Sequence, residues 1–166
     1  RAFREATDAA GRPLALQPSD SPPAQALAFN NMSWAICWKY SFRPLVSTFK
    51  WLEPRHMVHV APRWGKDKTH DLQFAFFNGT GFLALENIWG IWNGLGLRDR
   101  EALRRTAAIQ RAMAALLVGP DWEPYTPTLQ PGVFASKFPG RDRTLWLLVN
   151  RADHAVRGAQ LRVPAE

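Results

Sequence analysis

Cysteine is nearly absent from this sequence: Cys37 stands alone among 166 residues. A single thiol closes no internal disulfide and offers no Cys pair for a zinc knuckle, so a disulfide-stapled scaffold is excluded and the redox compartment is left open. Long apolar runs are missing as well. No stretch approaches the roughly 18–20 continuous apolar residues of a spanning helix, so a membrane partner of that kind is not expected. Gly-rich phosphate loops are also lacking, and with them the usual signal for a nucleotide; no cofactor is expected. Acidic residues are the scarcer charge, 14 against 21 Lys and Arg, for a formal +7. Such an excess raises the question of nucleic acid, because clustered cations release counterions from phosphates. The densest basic group, Arg98, Arg100, Arg104, Arg105 and Arg111, is interrupted by Asp99 and Glu101 at helical spacing. That pattern reads as a solvated helix face and makes a nucleic-acid partner the weakest reading.

What the sequence does hold is apolar mass. Nearly half of it is hydrophobic and eight residues are Trp, enough to build a core. Arg1 is not an initiator methionine and residues 161–166 read like an interrupted strand, so a piece of a larger protein is expected. Residues 7–28 contain Gly11, Pro13, Pro18, Pro22 and Pro23, which disfavour helix and central strand and predict a loop or linker over 1–28. Between 29 and 49 aromatics become dense, with Trp34, Trp38, Tyr40, Phe42 and Phe49, and Pro44 interrupts any long helix.

From there the periods alternate. Residues 56–60, His-Met-Val-His-Val between Pro54 and Pro62, predict a short buried strand. Leu72, Ala75 and Phe76 fall at helical spacing over 69–77, and Asn78-Gly79 supplies a helix stop. Residues 81–85 read as a second strand, 86–96 as a Trp- and Gly-rich loop, and 99–117 as a long helix with Asp99 as N-cap, ended by Gly119-Pro120. Strand alternating with helix is the pattern of parallel β/α architecture, in which ligands sit beyond the carboxyl ends of the strands. Past Pro131 the period changes: 133–138, 144–150 and 158–163 are consecutive strand-like runs separated by turn residues, which implies antiparallel pairing.

The candidate site follows from these positions. Glu86 ends a predicted strand beside Trp89 and Trp92, where apolar surroundings raise a carboxyl pKa and suit a general acid; the alternative is a loop anchor bonded to backbone or to an Arg. Trp64, Trp89 and Trp92 offer flat apolar faces for sugar rings, with Asn87 and Asn93 exchanging hydrogen bonds with hydroxyls; the alternative is that Trp89 and Trp92 are core wedges between barrel and sandwich. His59 shares a strand face with Arg55 and Met57 and could meet a substrate hydroxyl, although a packed, hydrogen-bonded histidine is the more ordinary role. His56 and His59, three apart on a strand, point to opposite faces, so no shared metal is expected. Asp67 and Asp71 follow the 56–60 strand, where one could serve as a second carboxylate, but a solvated role is the more ordinary reading of both; Glu53 lies at the opposite, stability-related end.

The words Lys50-Trp51-Leu52-Glu53-Pro54-Arg55-His56-Met57-Val58-His59-Val60, Asp71-Leu72-Gln73-Phe74-Ala75-Phe76-Phe77-Asn78-Gly79 and Glu86-Asn87-Ile88-Trp89-Gly90-Ile91-Trp92-Asn93 give the chain a resemblance. It resembles a group of bacterial proteins in which a glycoside-hydrolase-like barrel and a β-sandwich are joined, in many members, to a formylglycine-generating-enzyme-type (sulfatase-modifying-factor) domain. The resemblance covers roughly residues 34–163. It implies an α/β fold: the C-terminal part of a TIM-like (β/α) barrel over 29–126, then the start of an antiparallel β-sandwich over 127–166. It also implies a carbohydrate ligand, the rest of the chain's own barrel as partner, and no activity for the piece alone. The chain departs from the group where two acidic residues tend to precede the Trp-rich loop; Leu83 and Leu85 stand there. That departure opens the alternative of a non-catalytic carbohydrate-binding or scaffolding module.

Overall fold

The computed structural model describes residues 2–11, 23–28, 30–35, 41–62, 67–84, 87–88, 91–92 and 94–163. Ala-rich sequence at each end of the expected linker forms helical turns instead: α1 spans Ala2–Ala9, and a 3-10 turn spans Ala24–Ala28. Pro23 sits immediately before that turn, where a missing N–H breaks no helical bond. Next come β1 (Met32–Ala35), α2 (Thr48–Leu52), β2 (Met57–Val60), α3 (Thr69–Asn78) and β3 (Gly81–Phe82).

β1, β2 and β3 form a parallel sheet in that order, with Ser33 opposite Val58 and Trp34 opposite His59 on one side, and His59 opposite Gly81 and Val60 opposite Phe82 on the other. α3 covers one face, where Val60, Phe74 and Ala75 form a buried cluster with Phe82 packed against it. The helix stops as its sequence predicts. Gly79 takes the left-handed conformation, φ 62°, and its N–H returns to the carbonyls of Ala75 and Phe76.

β3 is shorter than the 81–85 run predicted. The following segment, expected as loop, contains a small antiparallel hairpin, β4 (Asn87–Ile88) with β5 (Ile91–Trp92). α4 (Leu97–Ala112) begins ahead of Asp99, with Gly96 at its N-cap. Asp99 therefore lies inside the first turn, still favoured by the helix dipole but not as the cap. Met113 separates α4 from a single further turn, α5 (Ala114–Leu117). The Arg residues of α4 are surface residues as expected: Arg104 and Arg105 both pair with Glu101, at 2.7 and 2.6 Å.

β6 (Glu123–Thr126), β7 (Val133–Pro139) and β8 (Thr144–Asn150) form an antiparallel sheet in sequence order. It begins at Glu123, upstream of the boundary expected at 127, and Lys137 pairs across it with Glu123 at 2.8 Å. The register between β6 and β7 shifts at Tyr125, whose φ is 62°. The strand expected over 158–163 is reduced to one bridge, Thr128 with Leu161, supported by Leu129 N–H donating to the Gln160 carbonyl at 2.9 Å.

α3 lies between the two sheets. Away from the parallel sheet, Phe76 packs on a second buried cluster of Leu117, Trp122, Phe138 and Leu147, joined by Val46, Leu116 and Leu145. The fold is thus mixed α/β, a parallel and an antiparallel three-stranded sheet sharing one helix. No helix among the described residues is long and apolar enough to cross a membrane.

Lys50 sits in the second cluster, only 3% exposed. Its ammonium donates to the Leu117 carbonyl and stands 5.6 Å from the Trp122 ring and 5.7 Å from the Phe138 ring. Burial pulls its pKa down from 10.5 to about 8. Between those values the unfolded chain binds more protons than the folded one, so stability rises with pH across that window. A shift of this size corresponds to ~3 kcal/mol. Urea unfolding at pH 7.5 and pH 10.5 is expected to show this rise in the wild type relative to Lys50→Met; parallel pH profiles for the two would contradict it.

Candidate functional site

In a parallel sheet every strand points the same way, so the segments leaving β2 and β3 emerge at one end of the molecule. β2 leads into α3 through 61–68, and β3 leads into α4 through 83–96. The amino ends of both helices are therefore at the carboxyl end of the sheet, and their charged residues meet. Arg98 bridges the two segments, donating from Nε to Asp99 Oδ1 at 2.9 Å and from Nη2 to Asp67 Oδ1 at 2.7 Å. Asp99, 3% exposed, also accepts the Lys68 backbone N–H at 2.9 Å.

The two carboxylates of the first segment are tuned in opposite directions. Asp67 accepts the Thr69 N–H at 2.8 Å; hydrogen bonds from Thr69, then the Arg98 contact, hold its pKa at about 2. Asp71, in the first turn of α3, is pushed up to about 6 by burial, with Lys68 opposing the shift. The expectation that Asp71 simply faces water is corrected here: the turn that carries it is packed beside Lys68, itself 1% exposed. Burial in turn lowers the Lys68 pKa.

His59 lies at the centre of the sheet. Val58 and Val60 on either side of it are buried, at 2% and 0% exposure, on the α3 side, so alternation directs His59 and the half-exposed Met57 to the opposite face. There the imidazole lies against Gly81: a Cβ at that position would come within 2.6 Å of His59 Cδ2. Only glycine leaves the ring this room. Burial lowers the His59 pKa, which favours the neutral ring, and Nδ1 is buried with no hydrogen-bond partner among the described residues. The ordinary role of a satisfied core histidine thus belongs to the other member of the pair. His56, 6% exposed, has its Nε2 2.7 Å from Ser33 Oγ and its ring edge-on to Phe49.

Of the remaining expected site residues, Glu86, Trp64, Trp89 and Asn93 lie outside the described residues. Asn87 and Trp92 occupy directly opposed positions of the β4–β5 hairpin. The sequence missed Lys68 and Asp99; a buried Lys and a buried Asp carry no periodic signal that separates them from surface charges. Beside Arg98 and Asp99 a groove of about 350 Å³ runs between α3, α4 and β8, floored by Leu72, Phe76, Ala102 and Leu148. Among the described residues no three His, Cys, Asp or Glu side chains come together to hold a metal ion. No protein-family model, curated protein or solved structure matches this chain.

Proposed function

We propose that this chain is the C-terminal part of a TIM-like (β/α) barrel followed by the start of a β-sandwich, and that the barrel acts on carbohydrate as a glycoside-hydrolase-like protein. The observation that carries this reading is His59: an imidazole on the sheet face opposite α3, seated over a glycine, with Nδ1 buried and without a hydrogen-bond partner among the described residues. A buried polar nitrogen without a partner is rare and calls for an explanation. A sugar hydroxyl, which both donates and accepts, supplies that partner in a barrel interior. The order β1-β2-β3 supports the reading, because parallel sheets are normally covered on both faces and α3 covers one. The rest of the chain's own barrel is the partner proposed for the other.

Glu86 remains the proposed proton donor, with Trp64, Trp89, Trp92, Asn87 and Asn93 as sugar-facing residues. Glycoside hydrolysis needs two carboxyl groups, and groups whose surroundings push their pKa values apart are suited to acid and base roles. Asp71, at about 6, is the described carboxyl best fitted to stand as the second. The alternative, a non-catalytic carbohydrate-binding or scaffolding module beside a formylglycine-generating-enzyme-type domain, is favoured by Leu83 and Leu85 in the positions where the resembled group tends to carry acids.

Aryl-glycoside hydrolysis by the chain joined to the rest of its barrel separates the two. Turnover that falls about 10²–10⁴-fold in Glu86→Gln, with circular dichroism unchanged, is the expected result. Saccharide binding with no turnover assigns the module instead, and neither binding nor turnover contradicts both.

A further inference from the structure

The segment ahead of α2 crosses the antiparallel sheet and carries Arg43 with it. Its backbone is tethered on both sides of that residue. Arg151 donates from Nε to the Phe42 carbonyl at 3.1 Å and from Nη2 to the Ser41 carbonyl at 2.5 Å, while the Tyr125 hydroxyl donates to the Pro44 carbonyl. Phe42 also meets Phe134 edge-on at 5.8 Å. Between these ties the Arg43 guanidinium lies over the Tyr125 ring, 3.9 Å from its centroid.

Two features of this arrangement bear on what the groove can hold. Tyr125 is the one non-glycine among the described residues with a positive φ, a conformation that persists only where the surroundings over-determine it and that clusters at functional sites. Here Phe77, Phe134, Arg43 and the Pro44 carbonyl hold it. The second feature is Arg43 itself. A guanidinium offers five N–H donors in a fixed fork, and none of those of Arg43 finds an acceptor among the described residues. Stacking on the ring fixes the plane of the fork and leaves its edge available. Beside the pair lies a groove of about 310 Å³, walled by Pro127, Pro131 and Phe134, in which Arg43 is the one charged lining residue among those described.

We propose that this groove binds a small ring-bearing carboxylate, the carboxylate held by the Arg43 fork and the ring lying along the proline and Phe134 wall. A planar guanidinium matches a carboxylate in two parallel hydrogen bonds. Arg43 is the one cation that lines the groove among the described residues, and a single cation balances a monoanion and undercompensates a phosphate. The walls then select a flat or ring-shaped body of the size the groove admits. The site is distinct from the His59 face, so it stands or falls independently of the carbohydrate reading.

The probes are benzoate, its neutral isostere benzamide, and inorganic phosphate, titrated into the full chain and followed by NMR. Benzoate is expected to bind in the millimolar range, about tenfold tighter than benzamide, and Arg43→Gln is expected to abolish that difference while leaving the spectrum otherwise folded. Tyr125→Phe keeps the ring under Arg43 and is expected to retain most of the binding. The proposal is overturned if benzoate and benzamide bind alike, if benzoate does not bind, if Arg43→Gln binds benzoate as well as the wild type, or if phosphate binds more tightly than benzoate.

Discussion

Phe138→Ala is expected to lower the free energy of unfolding by about 3–5 kcal/mol. Phe138 is 1% exposed and stacks on Trp122 with centroids 5.9 Å apart and planes at 12°. Its ring edge also reaches α3, since a Cβ on Gly79 would lie 3.0 Å from Phe138 Cζ and 2.9 Å from Leu117 Cδ2. Removing the ring thus opens a cavity bounded by a sheet, a helix end and an indole, none of which can close it without moving the others. Phe134, half-buried on the same strand, is the control and is expected to cost less. Urea titration with an unchanged m-value checks both. A loss below about 1 kcal/mol for Phe138→Ala would mean that α3 and the antiparallel sheet do not share a core.

Asn78→Ala is expected to cost about 3 kcal/mol or more, because it orphans buried backbone groups, each worth roughly 1–3 kcal/mol. Asn78 is fully buried at the end of α3. Its Oδ1 accepts the Ser47 N–H at 2.8 Å, and its Nδ2 donates to the carbonyls of Leu45 and Phe74 at 3.0 and 2.9 Å. One amide thereby ties the segment that enters α2 to the end of the helix packed on both sheets. Asn78→Asp keeps the acceptor for Ser47 but turns both donors into a buried carboxylate facing two carbonyls, so it is expected to unfold at lower urea as well. Near-wild-type stability of Asn78→Asp would contradict the assignment of the donor side. Asn78-Gly79-Thr80 also fits the N-glycosylation acceptor pattern, but a side chain with no exposed surface and three protein partners is not placed to carry a glycan.

Parts of this architecture were legible because local signals agreed with it. The apolar spacing of Leu72, Ala75 and Phe76 with Asn78-Gly79 behind it gave α3 and its left-handed stop. The strand-like runs of β7 and β8, with Gly140, Arg141 and Asp142 as turn residues between them, gave their antiparallel pairing. Elsewhere tertiary structure outweighed local preference. β6 carries little strand signal of its own, with Pro124 inside it, and the strand exists through its bulged pairing to β7 and the contacts that hold Tyr125 at positive φ. Residues 158–163 alternate as a strand should, but Gly158 stands at φ 90° and only Leu161 finds a bridge.

The candidate site was legible in its chemistry types more than in its partners. His59 could be assigned to the face opposite Val58 and Val60 from the period of a strand alone. That it rests on Gly81 required the β2–β3 register, which no sequence pattern carries. Asp71 read as a surface helix residue because burial beside Lys68 is a property of packing that its helical spacing does not carry. Lys50 gives the same lesson: a lysine on a short helix looks solvated until α5 and Trp122 close over it.

The central claim is that the His59 face of the parallel sheet meets carbohydrate, and the ¹⁵N shifts of the His59 imidazole during titration of the chain, joined to the rest of its barrel, with a soluble oligosaccharide test it most directly. The expected result is a saturable shift of the His59 ring nitrogens, with His56, already bonded to Ser33, left in place. In Gly81→Ala, where the added methyl occupies the space against the ring, the saturable shift is expected to vanish. His59 nitrogens that stay unmoved while the oligosaccharide binds, or moves that persist unchanged in a folded Gly81→Ala, would contradict the account.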